Sequence, residues 1–554
     1  MASDERRVTS DGSSLVTRHS SLVTLFLLLF VVVILRFAWL SDDAYITFRV
    51  VHNTAAGLGL RWNPAERVQA YTHPLWLFVL LAGRLLTGEL YYTAIVLSVA
   101  LSVVAAWLLA FRLRAAPAAA VLGLLILILS RAFVDYATSG LENALSHLLL
   151  AAFLVVWFNG SDELRATSAE FRSGDNQPTT NNQRRTTTRH SPPTTRLLLL
   201  SFLAALLALN RLDALLLVLP TLGWELWRQR SVRALGLLAL GFLPLVVWTA
   251  FSLFYYGFPF PNTAYAKLAT GIAAADLARQ GGTYLLNSLR WDPLTLTVSA
   301  AAVVMALARR WSAGVAVAAG IVLYLLYVIS IGGDFMSGRF LTLPLVAAVA
   351  VLLAATGPAA GQATIPLSPR SSAIAAALIL LLAAIGHLPV LLAGSPTGDA
   401  ARRDGDIADE RAYYTPHTGL FTDRVAHPWA EQGLVLRAAG PAVVEHGNVG
   451  FLGFYAGPAV HIIDRNGLTD PLLARLPVRD PADWRIGHFR RDVPAGYADT
   501  LRGGQNVIQD ADLAAYFDVL AHATRGPLWS VERLREIWRI NTGAYDHLLP
   551  QFTP

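Results

Sequence analysis

Apolar runs recur through the first 394 residues and decide what this chain can fold into. They lie at residues 22–40, 91–111, 117–133, 141–158, 196–210, 213–228, 235–255, 294–310, 312–331, 339–356 and 373–394. Charged residues make up only 15% of the sequence, whereas a soluble protein carries about 25%. The sequence therefore predicts an all-α, polytopic membrane domain over residues 1–394, with about 11 transmembrane helices.

Arginine clusters between the apolar runs predict the orientation of this domain. They are Arg112 and Arg114; Arg184, Arg185 and Arg189; Arg228, Arg230 and Arg233; Arg309 and Arg310; and Arg370. We expect the protein to lie in the cytoplasmic (inner) membrane. Because basic loops stay in the cytoplasm, the N-terminus is predicted to be cytoplasmic, and an odd number of spans then places the C-terminus outside. The polar residues 159–195 predict a disordered cytoplasmic loop. The net charge of +6 lies mostly in these clusters, and no nucleic-acid-binding motif accompanies it.

The character of the chain changes at about residue 395. Charged residues, Pro and Trp become common, and no further apolar run follows. We therefore expect residues 395–554 to form a smaller, soluble α/β domain on the outer face, called the cap below. Strands are predicted at 442–445 and 460–464, a turn or helix at 450–455 and a helix at 510–523.

Two adjacent carboxylates, Asp42 and Asp43, follow directly after the first apolar run, in a first outer loop that spans residues 41–90. Residues 43–57 predict an amphipathic helix near the surface, and residues 74–86 a second interfacial helix. A charged side chain this close to a bilayer carries an energetic penalty and usually marks a functional site. The pair could act as a general base or hold a divalent cation, Mg or Mn, against a phosphate. The alternative is that both residues only cap the surface helix.

Further polar residues lie at predicted span ends on the same outer side. They are His73, Glu142, Lys267, Asp334 and Arg339. Lys267 is the only lysine of the chain, and lysine is a compact charge suited to phosphate. A favourable helix dipole would explain Glu142 equally well, and a structural ion pair would explain Asp334 with Arg339.

Four cap residues are candidates for binding an acceptor molecule. His446 and Asn448 follow the first predicted strand, at the end where α/β sheets usually hold ligands. Arg485 and His488 could line the same face. A role in packing the cap is an equal alternative for all four.

Taken together, acids and bases on one side of the membrane suggest a site for a phosphorylated, lipid-anchored substrate. A base would take a proton from the acceptor, and cations would stabilise a phosphate leaving group. A lipid-linked sugar transporter is a rival, but it should carry polar residues at mid-membrane and often inverted repeats. A structural scaffold would not need clustered outer charges. The enzyme is favoured because the charges gather at outer helix ends and no repeat is visible.

The motifs around these residues carry a resemblance to a known family. The Asp42-Asp43 pair and the loop Gly-Leu-Gly-Leu-Arg-Trp-Asn-Pro-Ala-Glu-Arg-Val at 57–68 resemble the polyprenyl-phosphate-dependent GT-C glycosyltransferases. The branch most similar is that of the terminal β-(1→2)-arabinofuranosyltransferases. Its motifs are Thr-Ser-Gly-Leu-Glu (138–142), Pro-Asn-Thr-Ala-Tyr-Ala-Lys (261–267), Gly-Gly-Asp-Phe-Met-Ser-Gly-Arg (332–339), Ile-Asp-Arg-Asn-Gly-Leu-Thr-Asp-Pro-Leu (463–472) and Arg-Ile-Gly-His (485–488).

This resemblance implies a GT-C fold, a decaprenyl-phosphate-linked arabinofuranose donor, and an acceptor at the end of cell-envelope arabinan. Asp42 or Asp43 matches the essential acidic position, with a divalent cation as a candidate cofactor. Lys267 and Arg339 fall where the donor phosphate would be held. The cap is shorter than the family's, and Tyr-Thr-His-Pro at 71–74 is a version common in relatives whose sugar is undefined. Hexose transfer to another glycan, a lipid or a protein therefore stays open.

Overall fold

The computed structural model describes residues 21–172, 193–268, 270–394 and 406–550. Its helices are α1 Ser21–Arg36, α2 Asp42–Ala55, α3 Pro74–Thr87, α4 Tyr91–Trp107, α5 Pro117–Leu129, α6 Arg131–Tyr136, α7 Asn143–Arg172, α8 Pro193–Asn210, α9 Leu215–Gln229, α10 Val232–Gly241, α11 Leu243–Tyr256, α12 Asn262–Leu268, α13 Ala274–Trp291, α14 Pro293–Ala308, α15 Ser312–Ser330, α16 Thr342–Ala354, α17 Pro369–Ile385, α18 Leu388–Ala393, α19 Glu410–Thr418, α20 Pro428–Ala439, α21 Gly450–Ala456, α22 Tyr497–Gly503, α23 Ala511–Arg525 and α24 Val531–Asn541. The strands are β1 Ala442–His446 and β2 Val460–Asp464.

Every predicted apolar run contains a helix. Over the described ranges, three helices are long and apolar enough to cross a membrane: α7, α15, and α4 with the π-turn that extends it to Arg112. Two bent pairs, α10 with α11 and α13 with α14, also qualify if each pair is one span. The other apolar helices are shorter than a bilayer crossing requires. The count of about 11 spans therefore stays a prediction.

Helix α13 was not predicted from the sequence. It is amphipathic, and its buried residues Gly281, Tyr284, Asn287 and Ser288 recur at helical spacing. The chain bends by 108° between α13 and α14. Because α13 packs along α15, it brings Tyr284 against the loop at residues 332–339, which carries two of the predicted site residues.

Most residues of helix α2 are buried within the protein, and the predicted place of this helix near the membrane surface stays a prediction. The cap helix α21 covers one face and α3 another. The ring centroid of Tyr45 lies 4.5 Å from that of Phe451. The Arg49 guanidinium donates to the carbonyl oxygens of Trp62 at 2.9 Å and Val460 at 2.8 Å. The first outer loop and the cap are thus one packed unit.

The two predicted cap strands are present. β1 and β2 pair in parallel, with Ala442 opposite Val460 and His446 opposite Asp464, and α21 is the crossover between them. Elsewhere the described part of the cap is helix and loop, so the protein is mostly helical with few strands. The division between domains at residue 394 stays a prediction.

The predicted disordered loop at 159–195 falls largely outside the described residues. Helix α7 continues through its first part to Arg172, and α8 begins at Pro193, and the disorder of the loop stays a prediction.

Candidate active site

A cavity of about 1190 Å³ opens between the first outer loop and the cap. Six predicted site residues line it: Asp42, Asp43, Lys267, Asn448, Arg485 and His488. The other five predicted residues lie outside the cavity lining, and four of them form a buried network of charges. The cavity therefore brings together residues from α2, α12 and two cap loops that are far apart in sequence.

Asp42 joins α2 to the cap. Ser41 begins the helix as its N-cap, and Asp42 on the first turn is buried, with its Oδ1 accepting a hydrogen bond from the Phe451 N–H at 2.7 Å. Gly450 makes this approach possible, since a Cβ there would lie 2.0 Å from the Asp42 carbonyl oxygen. Burial raises the pKa of Asp42 to about 7, although the Phe451 N–H opposes the rise. Asp42 is therefore a buried link between two elements.

Asp43 differs from its neighbour because it is partly exposed to the cavity. Burial raises the pKa of Asp43, while the positive charges of Arg339 and Lys267 hold it down. The negative charges of Asp334 and Glu142 raise the pKa of Asp43 by smaller amounts. Both carboxylates line the cavity, but Asp43 is the more exposed of the two, and it lies in the field of Arg339 and Lys267.

Glu142 lies at the centre of the buried charge network. Its carboxylate contacts Arg339 Nη2 at 3.0 Å, Arg211 Nη1 at 3.5 Å and His73 Nδ1 at 3.5 Å. Arg339 Nη1 also lies 3.7 Å from Asp334 Oδ2. A favourable helix dipole is therefore not the whole explanation of Glu142. The structural ion pair of Asp334 with Arg339, stated above as the alternative, is present within a larger network, and the predicted role of both residues in binding the donor phosphate stays a prediction.

The loop at residues 332–339 holds Arg339 in place. Gly333 has φ +73°, and a Cβ there would lie 2.5 Å from the Tyr284 Cβ, so the loop needs glycine to pack on α13. On the other side, the Ala408 N–H donates to the Phe335 carbonyl at 2.7 Å. The segment after the last apolar run is thus bonded to the loop that carries Arg339.

Lys267 lies exposed near the end of α12. The Asn262 side chain fixes this helix to the cap by donating to the carbonyls of Gly467 at 2.8 Å and Asp470 at 3.0 Å. Among the residues that the structure describes, none forms an ion pair with Lys267. Its charge is therefore available to a ligand in the cavity.

Three of the four cap residues predicted to bind an acceptor line the cavity, and His446 does not. Asn448, Arg485 and His488 line the cavity, and the His488 ring stands edge-on to the Phe335 ring, with centroids 4.6 Å apart. His446 does not line it, because its Nδ1 turns back within its own loop and accepts from the Asn448 N–H at 3.0 Å.

Sequence reasoning missed Glu410. This residue lies on the first turn of α19, is only 8% exposed, and lines the cavity. Burial raises its pKa well above the ordinary value, and the carboxylates of Asp43 and Asp42 add to the rise. Ion pairs of Asp409 with Arg131 hold the start of α19 against α6. No local pattern marked it, because the last apolar run ends at residue 394 and a polar stretch separates that run from Glu410.

The predicted divalent cation at Asp42 and Asp43 lacks a protein ligand set. Within the described ranges, no group of three or more His, Cys, Asp or Glu side chains is placed to hold a metal ion. Asp42 Oδ1 is already engaged by the Phe451 N–H. Since Mg²⁺ requires near-octahedral coordination by oxygen, these residues alone do not fit such a site.

Comparison with known proteins identifies the relatives of the chain. No protein-family model matches it. The chain is 30% identical over 550 residues to the terminal β-(1→2)-arabinofuranosyltransferase of Mycobacterium tuberculosis, covering 82% of this chain and 81% of that protein. It is also 30% identical over 392 residues to the enzyme of the same name from Corynebacterium glutamicum, covering 62% and 53%.

Two solved structures are similar at lower identity. One is ArnT from Cupriavidus metallidurans in the apo state, with 14% identity, coverage of 83% of this chain and 87% of that chain, and a TM-score of 0.48. The other is the oligosaccharyltransferase of Archaeoglobus fulgidus, with 12% identity, coverage of 80% and 64%, and a TM-score of 0.46. The family follows from the sequence relatives: this chain belongs to the terminal β-(1→2)-arabinofuranosyltransferases and is a glycosyltransferase.

Proposed function

We propose that this glycosyltransferase moves arabinofuranose from a polyprenyl-phosphate donor to the end of a cell-envelope arabinan. The reaction takes place on the outer face of the cytoplasmic membrane, with the cap outside, the N-terminus in the cytoplasm and residues 1–394 forming a GT-C domain. One observation carries the proposal: Asp43 is the more exposed of the two carboxylates that line the cavity, and it lies in the field of Arg339 and Lys267.

Asp43 serves as the general base. It takes the proton from an acceptor hydroxyl while that oxygen attacks the anomeric carbon of the donor sugar. The bond from that carbon to the phosphate oxygen breaks, and the bonding electrons leave with the polyprenyl phosphate, which gains a negative charge. Lys267, which lines the cavity, stabilises this developing charge, and the positive charge of Arg339 behind the cavity lining adds to the effect. Glu142 and Asp334 hold Arg339, and His73 pairs with Glu142 beneath it.

The acceptor glycan enters from the cap side of the cavity. Asn448, Arg485 and His488 line that side and supply hydrogen bonds to its hydroxyl groups. Among the described residues, Asp42 and Asp43 are not joined by a third carboxylate or histidine placed to hold a metal ion, and the steps above are written for the residues of the protein alone. A role for Mg or Mn bound together with the donor phosphate remains a prediction that removal of metal ions tests.

The experiment uses the full chain, purified in detergent, with decaprenyl-phosphoryl-arabinofuranose and a synthetic arabinan acceptor. Wild type should transfer the sugar, and Asp43→Asn should not. A parallel arm with EDTA, followed by Mg²⁺ or Mn²⁺, tests the cation. Donor binding without transfer would point to another acceptor. If the donor does not bind, arabinose is the wrong sugar, and a panel of polyprenyl-phosphate hexoses decides between hexose transfer and lipid transport.

A further inference from the structure

The last helix of the cap, α24, has an apolar flank that no part of the described chain covers. Its buried face consists of Arg533, Ile537 and Ile540. Val531, Leu534 and Trp538 follow at i, i+3 and i+7, which places them on one side of the helix. They are exposed, Val531 and Trp538 to 71% each, and Trp529 just before the helix is 83% exposed. The opposite flank is charged, with Glu532, Arg535, Glu536 and Arg539.

Arg533 fixes the position of α24 relative to the membrane domain. Its fully buried guanidinium donates to the carbonyls of Phe254 at 2.9 Å and Tyr255 at 3.0 Å, and also to that of Ala523 at 2.8 Å. The last carbonyls of a helix lack partners within the helix, and a cation satisfies them well. Phe254 and Tyr255 lie in the last turn of α11. Helix α24 therefore sits level with the outer end of α11.

Helix α11 is half of a bent pair, with α10, that is apolar enough to cross a membrane. Its exposed residues include Val246 and Val247, which lie on the outer surface of the membrane domain, where lipid would contact a span. At its outer end, the Phe254 ring meets the Trp529 ring, with centroids 4.8 Å apart. The apolar flank of α24 thus lies next to the apolar surface of α11, at the end of that candidate span.

We propose that α24 and Trp529 bind the headgroup region of the outer leaflet and anchor the end of the cap to the membrane surface. Tryptophan is enriched at membrane interfaces, because its ring is apolar while its N–H bonds to water or headgroups. An amphipathic helix with aromatic and aliphatic residues on one side lies in this plane. The charged flank, with Arg535 and Arg539, faces water and the lipid phosphates.

The absence of cysteine from the sequence makes a direct test possible. The single-cysteine variants Trp538→Cys and Leu534→Cys place a spin label on the apolar flank, and Arg535→Cys places one on the charged flank as a matched control. The full-length variants are studied in lipid nanodiscs, where collisions of the label with oxygen report lipid and collisions with a water-soluble nickel chelate report water.

Labels at 534 and 538 should collide several-fold more with oxygen than with the nickel chelate, and the label at 535 should show the reverse. Equal access to the nickel chelate at 535 and 538 would overturn the proposal, because the flank would then face water. Protection of 534 and 538 from both reagents would also overturn it, since another protein or a second copy would cover the flank. The readout does not depend on sugar transfer, so it is independent of the proposed function.

Discussion

Asp42 and Phe451 are joined by a hydrogen bond of 2.7 Å from the Phe451 N–H to Asp42 Oδ1. This contact gives two neighbouring carboxylates different surroundings. Asp42 reaches the cavity lining but is buried against the cap, whereas Asp43, one residue later on the helix, is partly exposed to the cavity. The site therefore lies at the junction between the first outer loop and the cap. Asp42 links these two elements, and Asp43 is the proposed general base.

Asp43→Asn should reduce kcat by roughly 10²–10⁴-fold, the usual contribution of a general base, and leave the melting temperature near that of wild type. Asp42→Asn keeps an oxygen that can accept from the Phe451 N–H, so we expect it to retain most of the activity. Transfer assays and thermal unfolding of both variants check this. If Asp42→Asn lost activity and Asp43→Asn kept it, Asp42 rather than Asp43 would be the general base.

Gly450→Ala should destabilise the contact between α2 and the cap. Its Cβ would lie 2.0 Å from the Asp42 carbonyl oxygen and 2.6 Å from Oδ2, so the two elements must move apart. We expect a lower melting temperature and reduced transfer. Gly503→Ala is the matched control, since a Cβ there meets nothing within 4 Å. Equal melting temperatures for the two variants would contradict the packing described here.

The raised pKa of Asp42 predicts a pH-dependent contribution to stability. Its pKa is about 7 in the folded protein against an ordinary value of 3.8, so between these values the folded state holds a proton that the unfolded chain has released. The stabilisation is full below pH 3.8 and is lost as the pH rises to about 7. The melting-temperature difference between wild type and Asp42→Asn should therefore change over this window. An exposed control, Asp499→Asn, should follow the wild-type profile.

The sequence predicted those parts of the molecule that local patterns determine. Apolar runs located the apolar helices within residues 1–394 but not the amphipathic α13, and the two cap strands were found because short apolar stretches lie between turns. Contacts across hundreds of residues could not be predicted in this way. The burial of α2 depends on α21, and the link between Asp42 and Phe451 joins residues 409 positions apart. Glu410 was missed for the same reason, since only the fold brings it beside Asp43.

Glu142→Gln should be strongly destabilising, because it leaves Arg339 and Arg211 buried without their shared carboxylate. Removing one partner of a buried ion pair costs roughly 3–5 kcal/mol. Glu445→Gln breaks the exposed pair of Glu445 with Arg465 and should cost less than about 1 kcal/mol. Unfolding of both variants in detergent measures the difference. Similar losses for the two would mean that the Glu142 network contributes little to the stability of the folded protein.

Lys267→Ala should weaken donor binding without affecting stability, because the side chain is exposed and has no ion pair among the described residues. Hydrogen bonds to charged groups contribute roughly 1.5–3 kcal/mol, so the donor KM should rise about tenfold or more. The positive charge of Lys267 also holds down the pKa of Asp43. Its removal should therefore move the acidic limb of the kcat/KM profile to higher pH, since Asp43 must be deprotonated to accept a proton. Arg279→Ala, which removes an exposed cation paired with Asp276, is the control and should change neither quantity. An unchanged donor KM in Lys267→Ala would exclude Lys267 from the phosphate site.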